Sequence, residues 1–382
     1  MKPAIYLDYA ATTPIHPAVL ERFTTALRDT YGNPSSTHQF GRHAKKELED
    51  ARKTLASSIN ASPNEIIVTS GGTEADNLAI FGYVQSLNVE GKHIITTKIE
   101  HHAVLNPCKQ LESQGYKVTY LSPDDNGVIT AEQVQNALTD ETILVSIMYG
   151  NNEVGTIQPI AEIGQLLSTH QSAFHTDAVQ AYGTCQLDVE ELQVDFLSVS
   201  AHKVNGPKGV GFLYQRNGKL LSSQVLGGSQ EKKRRAGTEN VPAVIAFAEA
   251  VSIAEQTKLE KQTAYSTYKQ KMADVFEENQ IDFRPTIPHA VESLPHIYHV
   301  SFPGTDVETF LMSLDLEGVA VSSGSACTAG SFEPSHVVTA MFGTESDKAR
   351  NSIRISFGYD LDEFIIEEAA NRIAKVVKRL VK

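Results

Sequence analysis

From about residue 60 to residue 215 the sequence alternates short β-favouring apolar runs with helical patterns, and this alternation restricts the fold more than any other feature. The runs are EIIVTS (65–70), HIITTKI (93–99), KVTYLS (117–122), TILVSIMYG (142–150), AFHTDA (173–178), DFLSVSA (195–201) and GVGFLYQ (209–215). Helix candidates such as TEADNLAIFGYVQSL and PIAEIGQLLSTHQ lie between them. Near-continuous apolar strands separated by helices predict an α/β fold with a mostly parallel seven-stranded sheet covered on both faces. The link from DFLSVSA to GVGFLYQ is too short for a crossover helix, so that pair is expected to run antiparallel.

After residue 240 the pattern changes. The stretch VPAVIAFAEAVSIAEQTKLEKQTAYSTYKQKMADVFEEN reads as long helix. HIYHVSF (296–302), GVAVSS (318–323) and SIRISFG (352–358) follow as strands, with helical patterns at 305–314 and 361–380. This predicts a large domain over residues 16–258 and a smaller α+β domain formed by 1–15 and 259–382.

Charge narrows the function. Lys and Arg total 33 against 46 Asp and Glu, a formal net charge of -13. A body so acidic repels nucleic acid and anionic membranes, so neither is expected as a direct partner. No apolar run approaches the ~18 residues of a membrane helix, and MKPAIYLDYAATTP lacks an export signal, so a cytoplasmic location is expected. Cys108, Cys185 and Cys327 are too few and too dispersed for a disulfide framework, and none sits in a C-x-x-C. No metal is expected.

Open parallel sheets bind ligands beyond the carboxyl ends of their strands, and three polar clusters fall there. Ser70-Gly71-Gly72-Thr73-Glu74-Ala75-Asp76 ends a strand and opens a helix. Its glycines permit close backbone approach, Thr73 and Asp76 fit a capping box, and free N–H groups at such a start suit a phosphate. The turn reads equally as a tight strand-to-helix connection. Asp177-Ala178-Val179-Gln180 follows the strand AFHT, and Ser200-Ala201-His202-Lys203 follows DFLSV. Singly, Asp177 reads as a helix cap and Lys203 as a surface lysine. Together, an amine, a carboxylate and a phosphate site are what pyridoxal 5'-phosphate requires: a lysine for the Schiff base, an acid to keep the ring nitrogen protonated, and donors for the phosphate.

Ten stretches carry a resemblance: YLDYAATTP, YGNPSS, TSGGTEADNLAI, KIEHHAV, YGNNEVG, HTDAVQ, SAHKVNGPKG, RRAGTEN, SSGSACTAG and SIRISFG. In this order, from residue 6 to residue 358, they resemble the NifS/IscS-type cysteine desulfurases, fold-type I, class V pyridoxal-phosphate enzymes. The resemblance makes Lys203 the Schiff-base lysine, Asp177 the partner of the pyridine nitrogen and Gln180 the contact to the ring hydroxyl. It makes Gly72, Thr73, Ser200 and His202 the cofactor cradle, and Asn152 a neighbour of cofactor and substrate carboxylate. His101 becomes the histidine that stacks on the ring and assists proton transfer, whereas His102 takes no such role. Thr238 becomes a phosphate contact reaching across from a second subunit, which implies a homodimer.

Arg354 lies between Ile353 and Ile355 in a strand, so its side chain points to the face opposite theirs. The resemblance makes it the bidentate clamp on the substrate's α-carboxylate. Cys327 stands in Ser322-Ser323-Gly324-Ser325-Ala326-Cys327-Thr328-Ala329-Gly330, small polar residues without hydrophobic period, hence a loop where a thiol can ionise. Cys108 and Cys185 lie among apolar residues and read as packing.

The implied reaction takes sulfur from L-cysteine, leaving L-alanine and a persulfide on Cys327. The sulfur then passes to an acceptor protein such as a tRNA 2-thiouridylase or an iron–sulfur scaffold, for tRNA thiolation or cluster assembly. The chain stops at Lys382, soon after its last helical pattern, which is similar to short-tailed Gram-positive members. Asn205 stands where family members often have an aromatic residue before Gly-Pro-Lys-Gly. Another class V reaction (aminotransfer or selenocysteine lysis) and a non-catalytic scaffold are the alternatives; the loop cysteine argues against the transaminase, and retention of Lys203, Asp177 and Cys327 against the scaffold. The basic run Lys232-Lys233-Arg234-Arg235 reads either as a solvated turn or as an attractor of an acidic partner.

Overall fold

The computed structural model describes residues 3–87, 92–323 and 334–381. After a two-residue strand, β1 (Ile5–Tyr6), come β2 (Ile66–Thr69), β3 (His93–Thr97), β4 (Lys117–Leu121), β5 (Thr142–Ser146), β6 (Ala173–Asp177), β7 (Phe196–Ser200) and β8 (Gly211–Gln215). The strands from β2 to β8 fall within the seven runs read from the sequence and form one sheet in the order β2-β8-β7-β6-β5-β3-β4. The short connection makes β7 and β8 antiparallel, as expected. Because β8 inserts between β7 and β2, a second antiparallel pair accompanies it. All other neighbours are parallel. So β2 points the same way as β3, β5, β6 and β7, and their carboxyl ends share one edge.

The apolar runs lack alternation because both faces of the sheet are covered. In β7, Leu197 and Val199 join one core and Phe196 the other; in β8, Phe212 and Tyr214 oppose Leu213 in the same way. Each large side chain so buried contributes roughly 1.5–3 kcal/mol of transfer free energy.

The smaller layer is an antiparallel sheet, β9 (Arg284–Pro285), β10 (Ile297–Ser301) and, after β11 (Val319–Ala320), β12 (Ser352–Ser356), with β10 central. β1 pairs in parallel with β11, and Ile5 and Leu7 enter the core of this layer with Ile353, Ile355 and Phe357. A single 38-residue helix, Val241–Glu278, joins the two layers. Its Val244, Ala246 and Phe247 lie in the large core, and its Tyr265, Met272 and Phe276 in the small one. The boundary expected at 258 therefore falls inside one continuous helix. Among the described residues, no helix is long and apolar enough to cross a membrane.

The basic run is occupied by its own chain. Lys232 Nζ donates to Asn64 Oδ1, Arg234 Nη1 donates to the Asn64 carbonyl and to Gln215 Oε1, and Arg235 donates twice to Glu74. Three successive residues, Glu231, Lys232 and Lys233, hold left-handed φ values of 44°, 56° and 67°. Such conformations cost of order 1 kcal/mol or more each and persist only where surroundings impose them. Here the buried Glu231 carboxylate accepts from both terminal nitrogens of Arg52, at 2.7 and 2.8 Å, and from Val68 N at 3.1 Å. Arg52→Ala would strand that carboxylate, and is expected to lower unfolding free energy by about 3–5 kcal/mol. Urea titration at neutral pH checks this; a loss below about 1 kcal/mol would show the pair to be dispensable.

Candidate active site

The turn after β2 leads directly into a helix, Gly72–Ser86. Its N-cap is Gly71, and no side chain caps it. The expected Thr73–Asp76 capping box is therefore not formed. The helix starts two residues too early for Thr73 to stand at the cap, and Asp76 is buried a turn further in, 3.5 Å from His175 Nε2. Without a side-chain cap, the first N–H groups of the helix stay available to a ligand. Gly72 is there for space: a Cβ on it would meet Val179 Cγ2 at 2.7 Å.

β6 delivers Asp177 at its last residue, and the following turn is held by Asp177 Oδ1 accepting from Val179 N at 2.9 Å. Burial pushes this carboxyl up to about 7, with the Asp76 carboxylate adding to the effect. Gln180 Nε2 donates to the Ala10 carbonyl at 2.9 Å. β7 ends at Ser200, and a single 3₁₀ turn, Ala201–Lys203, carries His202 and Lys203. Lys203 Nζ donates to the carbonyls of Ala10 and Ala11. Burial first, and then Arg354, push its ammonium down to about 8, against the pull of Asp177 and Asp8. His202 is pushed down to about 4, chiefly by burial, and its Nδ1 lies 3.1 Å from Thr12 Oγ1. Asn205, two residues on, adopts the left-handed φ of 62° that Asn tolerates, and its amide donates to the Pro14 carbonyl.

His101 is the N-cap of helix His102–Ser113 and accepts from Ala103 N through Nδ1 at 3.1 Å. An accepting Nδ1 leaves the neutral ring's proton on Nε2. The ring is open to the cavity on one side, yet desolvation by the protein behind it, with Lys203 nearby, lowers its pKa against the opposing pull of Asp177. Arg354, on β12, turns away from the core that takes Ile353 and Ile355. Its Nη1 donates to the Asn152 carbonyl at 2.8 Å and its Nη2 to Asp8 Oδ1 at 2.7 Å.

These groups meet in one cavity of about 390 Å³. Gly72, Thr73, His101, Asn152, Asp177, Gln180, Ser200, His202, Lys203 and Arg354 all line it. A second cavity of about 310 Å³ shares Gly72, Thr73, Ser200 and His202 and adds Ser70, Gly71 and Lys208. Thr238 is not brought to either; it is exposed in the loop that precedes the long helix. Cys327 lies outside the described residues. Cys108 is fully buried, its thiol pushed up to about 12 by burial, and burial likewise pushes Cys185 up to about 11.

Sequence reasoning missed the segment Asp8–Thr12, which supplies carbonyls to Lys203, a carboxylate to Arg354 and a hydroxyl to His202. Its signal was the stretch YLDYAATTP, whose polar residues carry no local spacing rule. Asp76 was noticed, but as a cap. The donor set fits pyridoxal 5'-phosphate: an amine at reduced pKa, a buried carboxylate across from it, and an uncapped helix start where the glycine backbone comes close.

Comparison with known proteins gives the family. The aminotransferase class-V family model matches residues 5–367, and the chain belongs to that pyridoxal-phosphate-dependent family. IscS 1 of Bacillus subtilis (strain 168) is 53% identical over 376 residues, covering 98% of this chain and 99% of that protein. The cysteine desulfurase IscS of Dictyoglomus turgidum is 43% identical, over 100% of this chain and 95% of that one. Among solved structures, a NifS-like protein superposes with a TM-score of 0.92 at 34% identity, covering 99% of this chain and 100% of its own. The structure of SspA in complex with cysteine gives 0.79 at 37% identity, over 92% and 98%. Within the class-V family, these place the chain with the NifS/IscS-type cysteine desulfurases.

Proposed function

We propose that this chain is a cytoplasmic L-cysteine desulfurase that removes sulfur from L-cysteine, releases L-alanine and passes the sulfur to an acceptor protein. The observation that carries the reading is the convergence of Lys203, Asp177 and Arg354 on one cavity at the carboxyl edge of the sheet. Pyridoxal 5'-phosphate held there supplies an electron sink for the bonds broken at the substrate. Lys203 would bond the cofactor, Asp177 would pair with its ring nitrogen, and Gln180 with its ring hydroxyl. Gly72, Thr73, Ser200 and His202 would hold the phosphate end. Beside a cationic nitrogen, the Asp177 carboxylate regains the opposite charge that burial otherwise disfavours.

The side chains divide the remaining work. Arg354 binds the substrate's α-carboxylate with Asn152 alongside. The Lys203 amine, with its lowered pKa, is the base suited to the Cα proton near neutrality. His101 would cover the ring and, with its proton on Nε2, act as the donor. Cys327 takes the sulfur. Residues 16–258 bind the cofactor, and residues 1–15 with 259–382 form the smaller unit. Thr238, exposed and remote from its own cavity, completes the phosphate site of a partner subunit in a homodimer. The acceptor is a tRNA 2-thiouridylase or an iron–sulfur scaffold.

The test is product analysis with the pyridoxal-phosphate-loaded protein: L-cysteine should yield L-alanine and, with a thiol present, sulfide in equal amounts. A 2-oxo acid in place of L-alanine would indicate aminotransfer instead. Arg354→Ala should raise KM for L-cysteine roughly 30- to 1000-fold, about 2–4 kcal/mol, while cofactor binding stays parental. Steady-state kinetics with an unchanged KM would remove Arg354 from the site.

A further inference from the structure

We infer that Asp8 is a positioning residue that aims Arg354, and that it thereby sets the preference for substrates bearing an α-carboxylate. The inference rests on the reading of Arg354 as the carboxylate clamp. Arg354 lines the cavity and Asp8 does not, so Asp8 acts through the guanidinium. Asp8 Oδ1 accepts from Nη2 at 2.7 Å, and the Asn152 carbonyl accepts from Nη1 at 2.8 Å. Acceptors on both terminal nitrogens fix the plane of the group as well as its place. Two of five N–H donors are thereby used, and three remain. A bidentate carboxylate contact needs two of these in a set orientation.

Asp8 is well placed for this because its own backbone is anchored. It forms a parallel bridge to Ser356, on the same strand as Arg354. Ser356 N donates to the Leu7 carbonyl at 2.8 Å, and Ala10 N donates to Ser356 Oγ at 2.9 Å. Tyr6 Oη donates to the Asp8 carbonyl at 2.9 Å. The ion pair is also shielded, with side-chain exposures of 6% for Arg354 and 22% for Asp8, so solvent screens it less than a surface pair. Asp8 has an electrostatic effect as well: Arg354 depresses the Lys203 ammonium, and Asp8 opposes that. A thiol amine without a carboxylate gains nothing from Arg354. The difference in binding between carboxylate-bearing and carboxylate-free ligands therefore measures how well the clamp is aimed.

The experiment compares Asp8→Ala, Asp8→Asn and Arg354→Gln as cofactor-loaded proteins, with L-cysteine kinetics and spectroscopic equilibrium binding of L-alanine and cysteamine. Asp8→Ala should raise KM for L-cysteine about tenfold with kcat within about twofold of the parent, and weaken L-alanine by the same factor while sparing cysteamine. Asp8→Asn keeps an oxygen facing Nη2 and should return both values to within about threefold of the parent. Unchanged KM and L-alanine affinity in Asp8→Ala would overturn the inference. So would equal weakening of L-alanine and cysteamine, since that marks general damage rather than aim. Arg354→Gln tests the underlying reading separately: it should erase the preference for L-alanine over cysteamine, and a preserved preference there would place the clamp elsewhere whatever Asp8 does.

Discussion

Lys203→Ala is expected to give a folded protein that no longer bonds pyridoxal 5'-phosphate and desulfurates L-cysteine at roughly a thousandth of the parental rate or less. The fold should survive because Lys203 Nζ contributes only donors to the Ala10 and Ala11 carbonyls, which solvent in the cavity can replace. Such a change costs about 1 kcal/mol. Covalent loss is specific, since among the described residues no other lysine lines this cavity. Borohydride reduction followed by peptide mass measurement checks it. An adduct of unchanged mass in the mutant would mean that another lysine bonds the cofactor.

The same residue predicts a pH dependence. Burial lowers the Lys203 ammonium from its ordinary value of 10.5 to about 8. Only the neutral amine adds to an aldehyde, so the rate of covalent loading should rise as pH passes upward through about 8 and level off above. At pH 8 about half the amine is neutral, against on the order of one part in 300 for an unperturbed lysine. Absorbance followed after mixing cofactor-free protein with pyridoxal 5'-phosphate measures this. A rate still climbing tenfold per pH unit between 8 and 10 would mean that the amine keeps its ordinary basicity.

Much of this site was legible because strand ends are legible. Asp177 closes a short apolar run and Lys203 stands on the turn straight after one, and a parallel sheet brings such ends to one edge whatever loops follow. For Arg354 parity gave only the direction, since flanked by two core isoleucines it has to face the other way; its role came from the family resemblance. The capping box was misread because S/T-x-x-D patterns report a cap only if the helix starts where the pattern assumes. Here the cap is Gly71, two residues early, and Asp76 turns inward to His175. The basic run was ambiguous for a related reason. Its partners Asn64, Glu74 and Gln215 lie far away in sequence, and pairing at that range leaves no local trace. Asp8 belongs to the same class, 346 residues from the arginine it holds.

Cys327→Ser separates sulfur transfer from everything that precedes it. Serine keeps the size and hydrogen-bonding capacity of cysteine but replaces an ionisable thiol with a hydroxyl that stays protonated near neutrality. In the proposed reaction the Cys327 thiolate attacks the substrate's sulfur and forms an S–S bond. The substrate's C–S bond breaks, its electron pair stays with the carbon fragment, and protonation of that fragment gives L-alanine. Sulfur is neither gained nor lost: L-cysteine and a thiol become L-alanine and a persulfide. A serine hydroxyl cannot make that bond, so alanine release should fall by roughly a thousandfold or more, with no persulfide trapped on the protein. Cofactor loading and L-cysteine binding should remain parental, because they draw on Lys203, the glycine turn and Arg354. The other thiols cannot substitute. With Cys108 pushed up to about 12 and Cys185 to about 11, neither supplies appreciable thiolate at neutral pH. Cys108→Ser and Cys185→Ser should each retain parental turnover. Alkylation and mass measurement after L-cysteine addition locates the extra sulfur: finding it on Cys108 or Cys185, or finding near-parental alanine release in Cys327→Ser, would defeat the assignment of Cys327 as the sulfur carrier.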